Sequence, residues 1–453
     1  MRNSVIIKLL MLLFSQPGFS QGIDFQHITF EEAIQKAKQE DKLIFIDFYT
    51  QWCGPCKKLA AGPFKEEAVG EFYNNHFINL KLDAEKEGAT TAKKYKVNAY
   101  PTLMFIDGNG SLVYSGVGVT HGYDMVGFGK EAIASITDEN NVENLQAMFP
   151  EKQNDEAFLK MYYQKMDELG LNSDDGFNAW LKVQTELKDD DLEMMRLLQR
   201  NNKSVYVGSK AYEIWKANSA AYRAQANDRE KVMIDRFDDT AMIKSLEAAY
   251  RRKSPDLMRL YINAMHEKVR QGKRPIDFNY YELEYCLLSQ DYAKYKKLAT
   301  EYVDSLENEN PVAQVHQKDT KDYESFVRLN GHSDDPNTIR MVEFYKQGRT
   351  ASSIVKDVAE IGHKFLLHSD SEGDYKTLSG WIDYCYELIP EYYLVDNLKA
   401  DMLYEQKDTA QAIELKEKAV ANMPWTEKKR VNRQYELEIM KQGKELSGAV
   451  KER

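Results

Sequence analysis

Every β-rich apolar run in this 453-residue chain falls before residue 115, and beyond about residue 150 only helical spacing remains. This change of period constrains the architecture more than any single residue does, because strands repeat every two residues and helices every 3.6. Leu43-Ile44-Phe45-Ile46-Asp47-Phe48-Tyr49 is almost continuously apolar, as a strand covered on both faces must be. Phe77–Leu82 and Pro101–Ile106 repeat the pattern, and Asp107-Gly108-Asn109-Gly110 supplies a hairpin turn before Ser111–Tyr114. Helical spacing at Thr29–Gln39, at Lys57–Ala61 and on past a break, and at Gly88–Tyr95 separates these runs. Residues 23–136 therefore read as an α/β domain.

The remainder reads as an all-α array over 153–453, reached through a polar linker at 137–152. Glu156–Leu169, Asp174–Leu187, Asp190–Arg200 and Ala211–Gln225 place apolar residues three and four apart. Ser254-Pro255, Asn310-Pro311 and Asp335-Pro336 each put a capping residue before a proline suited to a first helical turn. The tyrosine doublets Tyr162-Tyr163, Tyr280-Tyr281 and Tyr392-Tyr393 read as helix packing, with a groove lining as the other reading. The charge runs Lys188–Asp191 and Glu427–Arg430 read as solvated faces.

Composition narrows the function classes. With 43% hydrophobic and 29% charged residues the chain is a globular protein, and its net charge of −11 offers no footprint for nucleic acid or an anionic membrane. Four cysteines cannot staple a chain of this length, so a close pair points to chemistry. At the N-terminus Arg2 and Lys8 precede the apolar stretch Leu9–Phe14, and Gly18-Phe19-Ser20 places small residues where a signal peptidase reads. Residues 1–20 are thus expected to be a cleavable signal peptide. No cysteine follows the apolar run to carry a lipid, the run is far short of the roughly 20 residues of a transmembrane span, and no later segment reads as one.

The sharpest motif is Trp52-Cys53-Gly54-Pro55-Cys56-Lys57, directly after a buried strand and opening a helix. Unpaired N–H groups and the helix dipole favour an anion at the first cysteine, which makes Cys53 the candidate nucleophile and Cys56 the resolving thiol. Gly54-Pro55 makes the tight entry and removes a donor that the first turn cannot use. A zinc site would need a second ligand pair, haem attachment would need histidine in place of Lys57, and the eight histidines show no metal spacing. Cys286 and Cys385 stand apart in the helical half and read as core residues, with a disulfide between them left open.

This stretch, over about 115 residues, closely resembles the thioredoxin family. The resemblance implies a thioredoxin fold and thiol–disulfide exchange with no cofactor or metal beyond the Cys53–Cys56 disulfide. It makes Asp47 the buried carboxylate that carries the resolving thiol's proton, and Tyr100-Pro101-Thr102 the loop whose cis proline lies against the disulfide. Tyr100 would offer its backbone to an extended client, with Gly118 on the far side of the groove and Trp52 flanking it. The lysine that thioredoxins usually place near the carboxylate aligns with Asn79, a departure from the family. Ala61–Val69 is more similar to envelope thioredoxin-like domains, including the reducing C-terminal domain of the transmembrane thiol-disulfide interchange protein. In the helical half, Ala400, Leu403, Ala412, Ala419 and Pro424 are spaced as in a tetratricopeptide repeat, although Asp396, Lys399 and Lys416 stand where that repeat prefers apolar or aromatic residues.

The expected protein is therefore an α/β thioredoxin fold followed by an all-α, tetratricopeptide-like helical domain. It would be an exported, periplasmic protein-disulfide reductase of a Gram-negative bacterium. Its partners would be disulfide-containing envelope proteins and an upstream thiol–disulfide electron donor, with no nucleic acid. The competing reading is a helical binding module with a secondary redox domain, or a disulfide isomerase or oxidase.

Overall fold

The computed structural model describes residues 22–118, 124–270, 278–330, 332, 334–424 and 430–446. The expected signal peptide, and most of the charge run at 427–430, lie outside the described residues. Four strands, β1 (Leu43–Tyr49), β2 (Phe77–Asp83), β3 (Thr102–Ile106) and β4 (Leu112–Val117), form one mixed sheet in the order β2-β1-β3-β4. The β1–β2 pair is parallel, and β1–β3 and β3–β4 are antiparallel. Ile44, Phe45, Ile46 and Phe48 of β1 are all fully buried, which is why that strand alternates so little.

Helices cover both faces. They are α1 (Phe30–Glu40), α2 (Gly54–Ala61), α3 (Glu67–His76), α4 (Ala89–Lys94) and α5 (Met125–Ala134). Helix α1 starts where a capping box allows: the Thr29 hydroxyl accepts from the Glu32 N–H at 3.2 Å, and the Glu32 carboxylate accepts from the Thr29 N–H at 2.7 Å. Its Phe30, Ala33 and Ala37 pack onto Ile44, Ile46, Ile78, Leu80 and Met104. Elsewhere in the core Phe45 meets Tyr73 and Phe105 at ring-centroid distances of 4.8 and 5.1 Å.

The expected linker is corrected. Residues 137–152 contain α6 (Val142–Met148), followed by α7 (Glu156–Glu168) and α8 (Asp174–Val183), and the first compact unit runs on to Thr185. Asn141 caps α6 by accepting from the Asn144 N–H at 2.9 Å, and Val142 and Leu145 are buried. A polar stretch with two well-placed apolar anchors is thus part of the domain.

From Glu186 onward the second unit is helical. Its proline-led helices begin as anticipated at Ser254 and Asp335, whose side chains accept from the Leu257 and Thr338 N–H groups. At Asn310 the side chain donates backwards to the Leu306 carbonyl instead. The helices Tyr393–Glu405 and Thr409–Asn422 form the tetratricopeptide-like pair, with Ala400, Ala412 and Ala419 fully buried between packed helices. Lys416 is fully buried as well, bonded to Asp401 at 2.7 Å and to Glu436 at 2.6 Å, while Asp396 accepts from the Tyr386 hydroxyl. Cys286 and Cys385 are free thiols in one hydrophobic core, and burial pushes the Cys385 thiol up to about 12. Among the described residues no helix is long and apolar enough to cross a membrane.

Candidate active site: a disulfide at a strand-to-helix turn

Strand β1 ends at Tyr49, and the turn closes when the Cys53 N–H donates to the Thr50 carbonyl at 3.1 Å. Cys53 is then the N-cap of α2, its sulfur accepting from the Cys56 N–H at 3.1 Å, with Pro55 in the first turn where no amide donor is required. A sulfur at the positive end of a helix, in contact with an amide hydrogen, is stabilised as thiolate once reduced. Here Cys53 and Cys56 are joined as a disulfide, each about 2% exposed, while Trp52, Gly54 and Pro55 around them are open to solvent. A side chain at Gly54 would meet nothing within 4 Å, so a partner backbone can approach there.

Strand pairing brings the second half of the site alongside. Phe48 of β1 lies opposite Thr102 of β3, so the residues preceding Thr102 lie beside the turn that leads to Cys53. The Tyr100–Pro101 peptide bond is cis, and the Pro101 carbonyl accepts from the Gly118 N–H at 2.8 Å. Gly118 has φ of 76° and open space where a side chain would stand, so only glycine fits that backbone without strain or a narrowed groove. Trp52 meets Tyr100 edge-to-face at 5.9 Å, and its indole N–H donates to Glu85 at 2.9 Å. Thus Cys53 is joined to Cys56, Pro101 to Gly118, and Trp52 to Tyr100. Glu85 went unnoticed in the sequence because its turn, Ala84-Glu85-Lys86-Glu87, carries no periodic signal.

Asp47 lies on β1, fully buried, and neither of its oxygens has a hydrogen-bond partner. Its nearest charge is the Lys81 ammonium at 3.6 Å, beyond ordinary hydrogen-bond range. Burial pushes the Asp47 carboxyl up to about 6, against the opposing pull of Lys81. The placement of the missing lysine at Asn79 is therefore corrected: β2 runs parallel to β1 with Asp47 opposite Lys81, which brings a cation to the carboxylate from a position two residues further on. Lys81 also lies 4.8 Å from the Tyr49 ring centroid, and its partly exposed ammonium links the buried acid to solvent.

The raised Asp47 value has a thermodynamic consequence. The unfolded carboxyl ionises near 3.8 and the folded one near 6, so stability falls as pH rises between them and the full penalty stands above 6. At about 1.4 kcal/mol per pH decade the penalty is about 3 kcal/mol. Asp47→Asn should accordingly leave stability almost unchanged near pH 3.5 and raise it by up to that amount at pH 7.5. Thermal unfolding of the two full chains at both pH values measures this, and a gain independent of pH would refute it.

Known proteins match the same region. A family model described as thioredoxin covers residues 23–126. Thioredoxin-T of Drosophila melanogaster is 42% identical over 73 residues, which are 16% of this chain and 44% of that protein. Thioredoxin-1 of Drosophila yakuba is 36% identical over 80 residues, covering 18% of this chain and 69% of the relative. A candidate disulphide-isomerase of Bacteroides thetaiotaomicron, solved in solution, is 43% identical and covers 27% of this chain and 98% of its own, at a TM-score of 0.24. The chain spans less than two thirds of the length of several curated relatives that it matches. A bonded Cys53–Cys56 pair at the start of α2, with sequence identity running through most of a thioredoxin's length, means that this chain belongs to the thioredoxin family of disulfide oxidoreductases.

Proposed function

We propose that the protein is an exported protein-disulfide reductase. The observation that carries this reading is Cys53 at the N-cap of α2, its sulfur in contact with the Cys56 N–H and its neighbours open to solvent. In the reduced protein the Cys53 thiolate attacks one sulfur of a client disulfide. The client S–S bond breaks, a mixed disulfide forms, and the departing client thiolate takes a proton from water. Asp47 then accepts the Cys56 proton, and the Cys56 thiolate attacks the Cys53 sulfur. The second client thiolate leaves and is protonated in turn, and two electrons have passed from the cysteine pair to the client. An upstream thiol–disulfide donor returns them to the Cys53–Cys56 disulfide.

Export to the periplasm of a Gram-negative bacterium is supported by the charged, apolar and small-residue pattern of residues 1–20. Disulfide-bearing envelope proteins are the corresponding clients, and the helical unit would raise their effective concentration at Cys53. The test is dithiol-driven reduction of insulin by the full chain, together with the reduction potential of the Cys53–Cys56 pair. A potential near the roughly −270 mV of thioredoxin supports a reductase, and one near the roughly −120 mV of DsbA would make the protein an oxidant instead.

A further inference from the structure

Strand β4 is an edge of the sheet, and an edge strand left open presents unpaired backbone groups to other chains. Here helices from the C-terminal side of the α/β domain close on it. Helix α6 packs against β4, and the corner between α7 and α8 meets it at two neighbouring points. The Ser115 hydroxyl donates to the Leu169 carbonyl at 2.7 Å, with both residues about 1% exposed. At Gly170, next in the chain, φ is 66° and an added side-chain carbon would stand 2.7 Å from a methyl of Val117. The corner is thus bonded to β4 at Ser115 and packs on Val117 closely enough that position 170 favours glycine.

Both contacts are on the strand that delivers Gly118. Val117 lies opposite Thr102 in the β3–β4 ladder, and the next residue's N–H binds the Pro101 carbonyl. A shift of β4 is thus a shift of Gly118 against Pro101, next to the turn that leads to Cys53. Cys53 and Cys56 themselves are held by β1 and α2, and the corner's two contacts fall on β4 instead. We propose that the α7–α8 corner is a positioning element for thiol exchange: through Ser115 and Gly170 it fixes the Gly118 wall against which an extended protein client is seated. The inference rests on the exchange reading above and names residues outside the disulfide turn that govern client fit.

The experiment compares the full chain with Ser115→Ala, which deletes the bond, and Gly170→Ala, which pushes on Val117. Each is assayed on two substrates: insulin, whose chain must enter the groove, and hydroxyethyl disulfide, which is too small to need the wall. The expected result for Ser115→Ala is a KM for insulin raised about two- to tenfold, the range that losing one ordinary hydrogen bond produces, with kcat unchanged, and Gly170→Ala should raise KM in the same way. Turnover of hydroxyethyl disulfide should equal that of the parent. Unchanged KM for insulin in the variants, or an equal loss on both substrates, overturns the inference, the latter because it marks a general loss of structure. Because Ser115→Ala alters no backbone, it keeps the test decisive if Gly170→Ala folds poorly. A parent chain inactive on both disulfides would instead sink the exchange reading itself.

Discussion

Cys53→Ser should abolish disulfide reduction, while Cys56→Ser should leave a chain that attacks its clients and then holds them. The asymmetry follows from position along one helix turn. The Cys53 sulfur caps α2 and accepts an amide hydrogen, so its reduced form is stabilised as the nucleophile; Cys56 lies inside the turn. Without the first sulfur no mixed disulfide forms, and activity on insulin should drop to the level of the free dithiol. Without the second, the mixed disulfide forms and has no partner thiol nearby to release it. Cys286 and Cys385 cannot substitute, because both are buried in the helical unit and their surroundings favour the protonated thiol. Non-reducing gels of the Cys56→Ser chain incubated with insulin should show a covalent adduct that dithiothreitol dissolves. Full insulin turnover by Cys53→Ser, or an adduct that forms equally well in the Cys53→Ser/Cys56→Ser double variant, would contradict the assignment of Cys53.

The disulfide turn was legible in the sequence because its physics is local. A buried strand, two thiols three residues apart and a proline at the first helical turn all lie within fourteen residues, Leu43 to Cys56. Asp47 stood out for the same reason, as an acid inside an apolar run. What surrounds Asp47 was not legible, because its neighbour comes from another strand. Matching the Leu82-Asp83 step to thioredoxins placed Asn79 beside the acid, whereas the parallel ladder pairs Leu43 with Phe77 and hence Asp47 with Lys81. Setting the two apolar runs side by side from their first residues would have found Lys81. Nothing comparable would have found Glu85, which reaches Trp52 from an irregular loop.

The same division holds for the fold. Strand and helix identities followed from period, since burial on both faces of β1 and capping at Thr29 are written into consecutive residues. The domain boundary did not, because α6 buries only Val142 and Leu145, too few to mark a polar stretch as part of a core. Ser115 is another such case: a buried hydroxyl in a strand is ordinary until its acceptor, Leu169, is known.

Lys416→Met should lower the stability of the helical unit by about 3–5 kcal/mol, the usual consequence of removing one partner from a buried ion pair. Lysine at this place departs from the tetratricopeptide pattern, and the departure is explained by what it neutralises. Its ammonium, fully buried, bonds Asp401 at 2.7 Å and Glu436 at 2.6 Å; His363 lies 3.3 Å from Asp401, and Arg433 is 2.6 Å from Glu436. Burial alone would raise the Asp401 carboxyl, yet Lys416, with His363 and Arg433, holds it well below the usual carboxylate range. A methionine fills similar volume but leaves Asp401 with His363 and Glu436 with Arg433 as their remaining charged partners, away from water, so packing is preserved while the charge balance is lost. For a unit of this size the unfolding transition of the helical region should fall by on the order of 10 °C at pH 7.5. The sign of the pH dependence separates electrostatics from packing. In the parent the lowered Asp401 carboxyl contributes stability that is present above its unfolded value and lost as pH falls below it; without Lys416 much of that contribution is gone, so the variant's deficit relative to the parent should shrink as pH falls from 7.5 to 3. A deficit of the same size at both pH values would assign the loss to packing, and no deficit at all would mean that the buried network contributes nothing to holding the helices Tyr393–Glu405, Thr409–Asn422 and Arg430–Lys441 together.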